Sequence, residues 1–586
     1  MLSAKIDLKS SPFTEGIFFL NNFLYFTYPM HNYEIAEYFS LLSKLMDIHG
    51  ENEFKIKSYS NAAFTLDKLT EPVAEMSTSE LFAIRGIGEA IGQKIIQLIE
   101  NKELSLLTTY IEKTPPGIIE LIKIKGLGPK KIRTIWKELE IESIGELLYA
   151  CQENRLINYK GFGAKTQQNI QDSLEYYLQH QGSYLYQQVE SLVSTLQEAV
   201  QKYFPNDLHE VSGAYKRQME SLEFLEIVTT ANEKKLTDWL IEKEFKVTKN
   251  EEFISCHGTD NFEIRWWLTT QDSFHWTDFK LSCSPEFLEK WVENPLFDKN
   301  FKNIYPQSIF EQMGIPFIPP AQREDPAIIE QVKTQALKAT IQKSDIKGII
   351  HSHSTWSDGV HTIEQMALAA IEKGFEYLVI SDHSKSAFYA NGLQVDRIRA
   401  QHKEIDTLNK KLAPFVIFKS IESDILNDGS LDYPDEVLES FDIVIASIHS
   451  NLKMTEEKAM ARLMSAIQNP YTSILGHLTS RLLLSRKGYP VDHDAIIEAC
   501  ANNDVVIELN AHPRRLDMDW RFIPAALKKD VLISINPDAH SVEGVDDCKY
   551  GVLVAQKAGL TATQNLSSFS LEEMMEFVAF QQAKRT

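Results

Sequence analysis

The chain has 586 residues, 43% of them hydrophobic and 24% charged, a balance that excludes disorder and fibre and, at about 150 residues per domain, a single core. A formal net charge of −22 opposes a nucleic-acid surface spread over the whole chain, so any such surface must be a local basic patch. Five scattered cysteines (Cys151, Cys256, Cys283, Cys500, Cys548) form no CxxC pair, which excludes a disulfide framework or a zinc finger and fits a cytoplasmic protein. Residues 1–29 contain the run IFFLNNFLYF, but asparagines interrupt it and no small-residue cleavage site follows before Pro29. It reads as an unpatterned extension, neither a signal peptide nor a membrane span.

From residue 33 to 180 apolar residues recur at helical spacing and glycines mark the turns. One pattern occurs three times: IRGIGEAIGQKI at 84–95, IKGLGPKKIRTI at 124–135 and YKGFGAKTQQNI at 159–170. Each sets Gly-x-Gly between an apolar residue and a helix: Gly86 and Gly88, Gly126 and Gly128, Gly161 and Gly163. Such a turn lets backbone N–H groups at a helix N-terminus approach a phosphate without reading a base. The second copy carries Lys123, Lys125, Lys130, Lys131, Arg133 and Lys137 with no acid between them, the local patch that the acidic total requires. These segments resemble helix-hairpin-helix elements, and the DNA backbone is their expected partner.

Residues 181–325 mix helices with strands, and 326–344 reads as a helical linker. From residue 345 apolar strands alternate with amphipathic helices, the pattern of a parallel sheet or barrel. Seven strand-like runs end polar: GIIHSH, YLVISDH, FVIFKSIE, DIVIASIH, TSILGH, VVIELN and VLISINPDAH. In a closed β/α barrel the C-terminal strand ends converge on one mouth. Those ends, with the turns after them, supply His351, His353, Asp358, His383, Glu422, His449, His477, Asp538 and His540. Strand alternation is expected to aim His351 and His353 from the same side. Nine ligands exceed one tetrahedral ion and suit three divalent ions with shared carboxylates, Glu422 being the expected bridge. Mixed nitrogen and oxygen ligation fits manganese, zinc or iron. Arg481, Asn510 and Arg515 follow ligand-bearing strand ends, where a phosphate could dock, whereas His361, His402, His493 and His512 fall outside the pattern.

The segment NYEIAEYFSLLSKLMDIHGENEFKIKSYSNAA, followed by two of the hairpins, resembles the lyase-like and fingers domains of bacterial family X DNA polymerases. In relatives with 5'-deoxyribose phosphate lyase activity a lysine eight positions after the first hairpin glycine forms the Schiff base, and the resemblance puts Lys94, eight after Gly86, at that position. It continues to FEQMGIPFIPPAQRED, which is similar to the end of that family's thumb. The stretch matching the palm is SGAYKRQMESLEFLEIVTT at 212–230, and there the family's metal-binding aspartates correspond to Phe224, Glu226 and, in FEIRWW, Glu263. A benzyl ring cannot ligate Mg²⁺, and each glutamate extends its carboxylate by a methylene beyond the octahedral geometry that Mg²⁺ demands. The Gly-Ser pairs are also altered, to Gly213-Ala214 and to SCS around Cys283. Polymerase chemistry and Mg²⁺ in the palm are therefore not expected. The C-terminal third resembles the PHP (polymerase and histidinol phosphatase) domain, and all nine of its ligand positions carry a ligating residue here.

The expected architecture is thus multidomain: an extension at 1–29, a lyase-like helical domain at 30–110, a fingers-like helical domain at 111–180, a nucleotidyltransferase-like α/β palm and thumb at 181–325, a linker at 326–344, and a distorted (β/α)7 PHP barrel at 345–586. The expected activity is metal-dependent 3'-5' removal of nucleotides or blocking groups from gapped, nicked or 3'-ended DNA, by a cytoplasmic, nucleoid-associated monomer with no membrane partner. Two alternatives are a gap-filling family X polymerase that retains exonuclease activity and a small-molecule phosphatase of the histidinol phosphate type. The three hairpins argue against the second.

Overall fold

A computed structural model describes residues 30–152, 156, 159–179, 182–258, 262–297, 305–484 and 487–585; the extension expected at 1–29 lies outside them. The chain divides into two compact units, one running through Ser183 and including Lys234–Asn250 and Ser255–Ile264, the other made of Tyr184–Glu233, Glu251–Ile254 and Arg265–Thr586.

The first unit is mainly helical. Helix α1 (Asn32–Ile48) buries Ile35, Phe39, Leu42, Leu45 and Met46, an apolar stripe at helical spacing. Helix α2 (Glu53–Asp67) starts where the Asn52 side chain accepts the Phe54 N–H, filling one orphan donor of its first turn. The Gly-x-Gly turns lead into α3 (Glu89–Asn101), α4 (Pro129–Lys137) and α5 (Ala164–Gln179). Their apolar residues Ile87, Ile95, Leu127, Ile132, Ile135, Phe162 and Ile170 join one core with those of α1.

A five-stranded sheet of order β1-β2-β5-β4-β3 is built from β1 (His209–Ser212), β2 (Phe224–Thr229), β3 (Lys246–Lys249), β4 (Phe253–His257) and β5 (Glu263–Leu268). Strands β1 and β2 pair antiparallel, Ser212 opposite Glu226. The C-terminal barrel has seven parallel strands, one for each run read from the sequence: β6 (Gly348–Ser352), β7 (Tyr377–Ile380), β8 (Val416–Asp424), β9 (Ile443–Ser447), β10 (Ile474–Leu475), β11 (Val506–Asn510) and β12 (Ile533–Asn536). Sequence neighbours are spatial neighbours throughout. Strands β6, β7, β9, β10, β11 and β12 are buried along their whole length, as helix-covered parallel strands are, and are rich in Ile, Val and Leu, with polar residues such as His351, Glu508, Asn510 and Asn536 toward their C-terminal ends. First and last strands meet through the parallel bridge Ser352–Ala539 and the bonds His353 N–H to Ala539 O (2.8 Å) and Ala539 N–H to His351 O (3.2 Å).

The stretch read as a linker holds a helix, Ala327–Thr334, and its end is pinned to the barrel. Ile341 is fully buried and donates its N–H to Leu560 O at 2.8 Å. Among the described residues no helix is long and apolar enough to cross a membrane.

Candidate metal centre and nucleic-acid elements

All nine strand-end residues gather at one end of the barrel, and Glu422 is their hub. Its carboxylate oxygens lie 3.3 Å from His351 Nε2, 3.8 Å from His353 Nε2, 2.8 Å from His383 Nδ1, 3.1 Å from His449 Nε2 and 3.0 Å from His477 Nε2. Asp538 Oδ1 stands 3.1 Å from His353 Nε2, 3.6 Å from His351 Nε2 and 3.8 Å from His540 Nδ1. Asp358 faces His540 Nε2 at 3.4 Å and His383 Nε2 at 3.7 Å. Three sets of ligand atoms each lie within 4.8 Å of one another: His353, Asp358, His383 and His540; His351, His353 and Asp538; His383, Glu422 and His449.

The route by which His351 and His353 converge differs from the sequence expectation. Strand alternation does not align them, because His351 takes a left-handed backbone (φ 63°) where the β6–β7 register shifts, and β6 ends at Ser352. Asp538 is likewise left-handed, at φ 53°. Non-glycine residues in this region cost of order 1–3 kcal/mol each and persist where surroundings over-determine them, as the bonds across the β6–β12 closure do here.

Carboxylates behind the cluster set which ring nitrogen faces it. His351 donates from Nδ1 to Glu508 Oε2 at 2.6 Å, and His449 donates from Nδ1 to Asp424 Oδ1 at 2.6 Å, so both present Nε2 to the centre. Glu508 also accepts from His477 N (2.9 Å), Asn510 Nδ2 (3.0 Å) and Asn536 Nδ2 (2.8 Å). Buried Asp382 accepts from the backbone N–H and hydroxyl of both Ser354 and Ser357 and from Gln401 Nε2, fixing the turn that carries Asp358. The sequence reading missed all three carboxylates. Period two was the available signal for Glu508 and Asp424, which stand two residues from Asn510 and Glu422 on β11 and β8.

Burial works against charge throughout the cluster, yet the carboxylates prevail at several imidazoles. Against desolvation, Glu508, Asp538 and Glu422 hold His351 well above the ordinary histidine range; Glu422 and Asp424 raise His449 to about 10, and Asp358 and Asp538 raise His540 to about 9. Burial, with His540 and His383 as neighbours, pushes His353 down to about 3. Glu422 and Asp538 are held well below the usual carboxylate range by the histidines, despite burial. The centre therefore demands positive charge. His351 Nε2, His353 Nδ1 and Glu422 Oε2 are buried without a hydrogen-bond partner, so nitrogen and oxygen donors stand ready for a divalent cation, and the residues fit such a group.

The three residues read as phosphate contacts separate. Arg515 Nε is 3.6 Å from Asp538 Oδ2, and its Nη1 is buried without a hydrogen-bond partner. Asn510 is fully buried and donates to Glu508 and to Asp538 Oδ2 (3.1 Å). Arg481 is committed elsewhere: Nε donates to Arg515 O at 2.9 Å, Nη1 to Asp519 Oδ2 at 2.6 Å and Nη2 to Leu516 O.

At the hairpins the first glycine of each pair is left-handed, with φ of 95° at Gly86, 86° at Gly126 and 93° at Gly161, a region an L side chain rarely adopts. The second glycines, Gly88, Gly128 and Gly163, have open space where a Cβ would stand, so a ligand backbone can come close. Lys130 is exposed, and Lys131 Nζ donates to Gly126 O at 3.1 Å. Arg133, counted in the basic patch, turns inward to Asp47 Oδ1 at 2.7 Å. Lys94 lies part-buried on α3.

In the five-stranded sheet the guanidinium of Arg265 stacks over the Phe224 ring, 3.4 Å from its centroid. Glu226 accepts from Trp267 Nε1 at 3.1 Å and leans on Gly213, whose missing Cβ would fall 1.9 Å from Glu226 Oε2. Burial raises the Glu226 carboxyl, with Arg217 and Arg265 opposing. Glu263 accepts from Ser255 Oγ at 2.7 Å.

Comparison with known proteins agrees with these parts. Residues 30–104 match the helix-hairpin-helix domain family, and residues 118–175 match the SAM-like helix-hairpin-helix tandem. Over 228 residues, 36% of this chain and 86% of the relative, the chain is 27% identical to a probable phosphatase of Thermoanaerobacter sp. (strain X514). A probable phosphatase of Caldanaerobacter subterraneus subsp. tengcongensis is 29% identical over 171 residues, 27% of this chain and 60% of the relative. The DNA polymerase/3'-5' exonuclease PolX of Bacillus subtilis (strain 168) is 32% identical over 573 residues, 94% of this chain and 99% of that protein. One relative thus spans the hairpins, the sheet and the histidine-rich barrel of this chain, and the chain belongs to the bacterial family X DNA polymerase/3'-5' exonucleases that carry a C-terminal PHP domain.

Proposed function

We propose that this chain is a metal-dependent phosphodiesterase that removes nucleotides or blocking groups from DNA 3' ends during repair, and that it has lost nucleotidyl transfer. The observation that carries the reading is a contrast between two sites. Six histidines and three carboxylates converge in the barrel with Glu422 at their hub, whereas Phe224, where the family has an aspartate, lies under the guanidinium of Arg265. Among the described residues the candidate ligand groups all belong to the barrel, and none includes Glu226 or Glu263.

The ligand sets would be His353 with Asp358, His383 and His540; His351 with His353 and Asp538; and His383 with Glu422 and His449, with His477 completing the surround of Glu422. Three ions of manganese, zinc or iron suit this count of donors. Divalent ions supply Lewis acidity, lowering the pKa of water and offsetting charge on the scissile phosphate. The chain's own residues do the rest. Glu508 and Asp424 keep the Nδ1 protons of His351 and His449 in place. Arg515 offers Nη1 to a phosphate oxygen, and the three glycine turns with Lys130 and Lys131 grip the DNA backbone without reading sequence. No serine or cysteine nucleophile is required. Lys94 remains the position for a lyase activity, and a cytoplasmic, nucleoid-associated monomer acting at gaps, nicks and 3' ends is the setting we infer.

The test is Mn²⁺-dependent shortening of a 3'-labelled oligonucleotide by wild type and His353→Ala. Loss of shortening in the variant supports the reading; equal rates in both would remove the assigned site.

A further inference from the structure

Between Gly213 and β2, the palm segment 217–220 bonds to residues of the barrel. Gln218 Nε2 donates to Gln556 Oε1 at 3.0 Å, and Lys557 Nζ donates to Arg217 O at 2.6 Å; both partners lie on α6 (Cys548–Lys557), the helix that follows β12. Gln218, Met219 and Glu220 share with Pro513 and Leu516 the walls of a cavity of about 10 Å³, room for about one water. The segment thus rests directly on the loop that carries Arg515.

Glu220 is the charged centre of that contact. Its carboxylate, with a side chain only 8% exposed, meets Arg521 Nη1 at 3.3 Å and Arg481 Nη2 at 3.7 Å. Both arginines also engage Asp519, at 2.6 Å from Arg481 and 2.9 Å from Arg521. Two carboxylates therefore balance two guanidinium groups. Arg481 in turn holds the carbonyls of Arg515 and Leu516, and Arg515 Nε reaches Asp538 in the cluster at 3.6 Å. The same loop is laced to the segment after His477: Asp517 accepts from Thr479 N at 2.9 Å, and Leu483 N–H donates to Arg514 O at 2.6 Å.

We propose that the palm is retained as a strut for the phosphoesterase centre, with Glu220 acting through Arg481 as a positioning residue for the Arg515 loop. Removing the Glu220 charge leaves Arg481 and Arg521 to share one carboxylate in a partly buried site, a repulsive arrangement that Arg481 relieves by turning away from the Arg515 and Leu516 carbonyls. The loop then loses its fixed position, and Arg515 with it. Arg481, which from sequence reads as a phosphate contact, is thereby a structural partner of Arg515. The inference rests on the phosphoesterase reading of the barrel but needs no DNA.

The experiment compares full-length wild type, Glu220→Gln and Glu220→Asp, by hydrogen exchange of peptides covering 512–519 and by Mn²⁺-dependent hydrolysis of bis(p-nitrophenyl) phosphate. In Glu220→Gln, exchange in 512–519 is expected to quicken and KM to rise, each by roughly fivefold or more, with kcat and Mn²⁺ affinity within about twofold of wild type. Glu220→Asp, which keeps the charge, falls between. Unchanged exchange in 512–519 overturns the proposal, and so does loosening spread over the whole barrel with loss of Mn²⁺. Should Glu220→Gln not fold, the same outcomes are read on Glu220→Asp. Exchange reports on the strut even in an inactive protein. A wild type that hydrolyses bis(p-nitrophenyl) phosphate but spares oligonucleotide 3' ends defeats the exonuclease reading and leaves the strut standing.

Discussion

His351 Nδ1 and Glu508 Oε2 stand 2.6 Å apart, and that contact fixes the tautomer that turns Nε2 toward Glu422 and Asp538. Both partners are fully buried. Glu508→Gln keeps the volume but replaces a charged acceptor with an amide, which weakens the hold on the Nδ1 proton. Mn²⁺ affinity is expected to fall about 10- to 100-fold, read by titration of the metal-free protein, with the barrel's far-ultraviolet circular dichroism unchanged. An affinity equal to wild type would mean that Glu508 does not orient His351.

His353 belongs to two of the three ligand sets, so its loss touches both. His353→Ala is expected to reduce Mn²⁺-dependent shortening of a 3'-labelled oligonucleotide by at least about 100-fold, beyond the range for a partner behind the ligands. DNA affinity, measured by fluorescence anisotropy, should stay within about threefold, because the substitution leaves the glycine turns and their lysines unchanged.

The barrel was legible because its signals are local. Each strand is a short apolar run, and parallel topology forces all their C-terminal ends to one mouth, so His351, His383, Glu422, His449, His477 and Asp538 needed only to be read off the runs. The local geometry was not legible. Alternation suggested why His351 and His353 share a side, yet the cause is a register shift and a left-handed residue, which the interior of the closed barrel imposes. The partners of Glu508 and the stacking of Arg265 on Phe224 depend on which residues face one another across strands. That is a matter of register, which a single sequence does not print.

Arg265 over Phe224 also bears on polymerase activity. Wild type is expected to give no primer extension with Mg²⁺ or Mn²⁺. Phe224→Asp alone should not restore it, because the new carboxylate would meet the Arg265 guanidinium where a metal ion is needed, and Glu226 stays held by Trp267 and Gly213. Incorporation of a single nucleotide by wild type on a gapped template, abolished by Glu226→Gln, would overturn the proposal that nucleotidyl transfer is lost.

Lys130 and Lys131 flank the turn at Gly126 and Gly128 without an acidic neighbour in sequence. If each meets one phosphate, the double variant Lys130→Ala/Lys131→Ala should lower the slope of log K against log salt by about 1.4–1.8 in total and weaken all DNA sequences alike. Hydrolysis of bis(p-nitrophenyl) phosphate is expected to remain at wild-type rate.

Lys557 provides a test of the palm seam that is independent of catalysis. Its side chain is fully buried, donating to Arg217 O and to Glu324 Oε1 at 3.2 Å, and burial, opposed by Glu324, lowers its pKa from 10.5 to about 8. The folded value lies below the unfolded one, so between about pH 8 and 10.5 the unfolded chain binds more protons and stability rises with pH. Below that window the charge is present in both states and its burial is a standing cost. Lys557→Met removes this titration, so the stability of wild type relative to the variant should climb by roughly 3 kcal/mol across the window, since each pKa unit is worth about 1.4 kcal/mol. Taking the difference cancels tyrosines and other lysines that titrate in the same range. Urea denaturation of both proteins from pH 7 to 10 measures it, and a flat difference would mean that Lys557 is solvated and that α6 does not hold the Arg217 carbonyl as the structure has it.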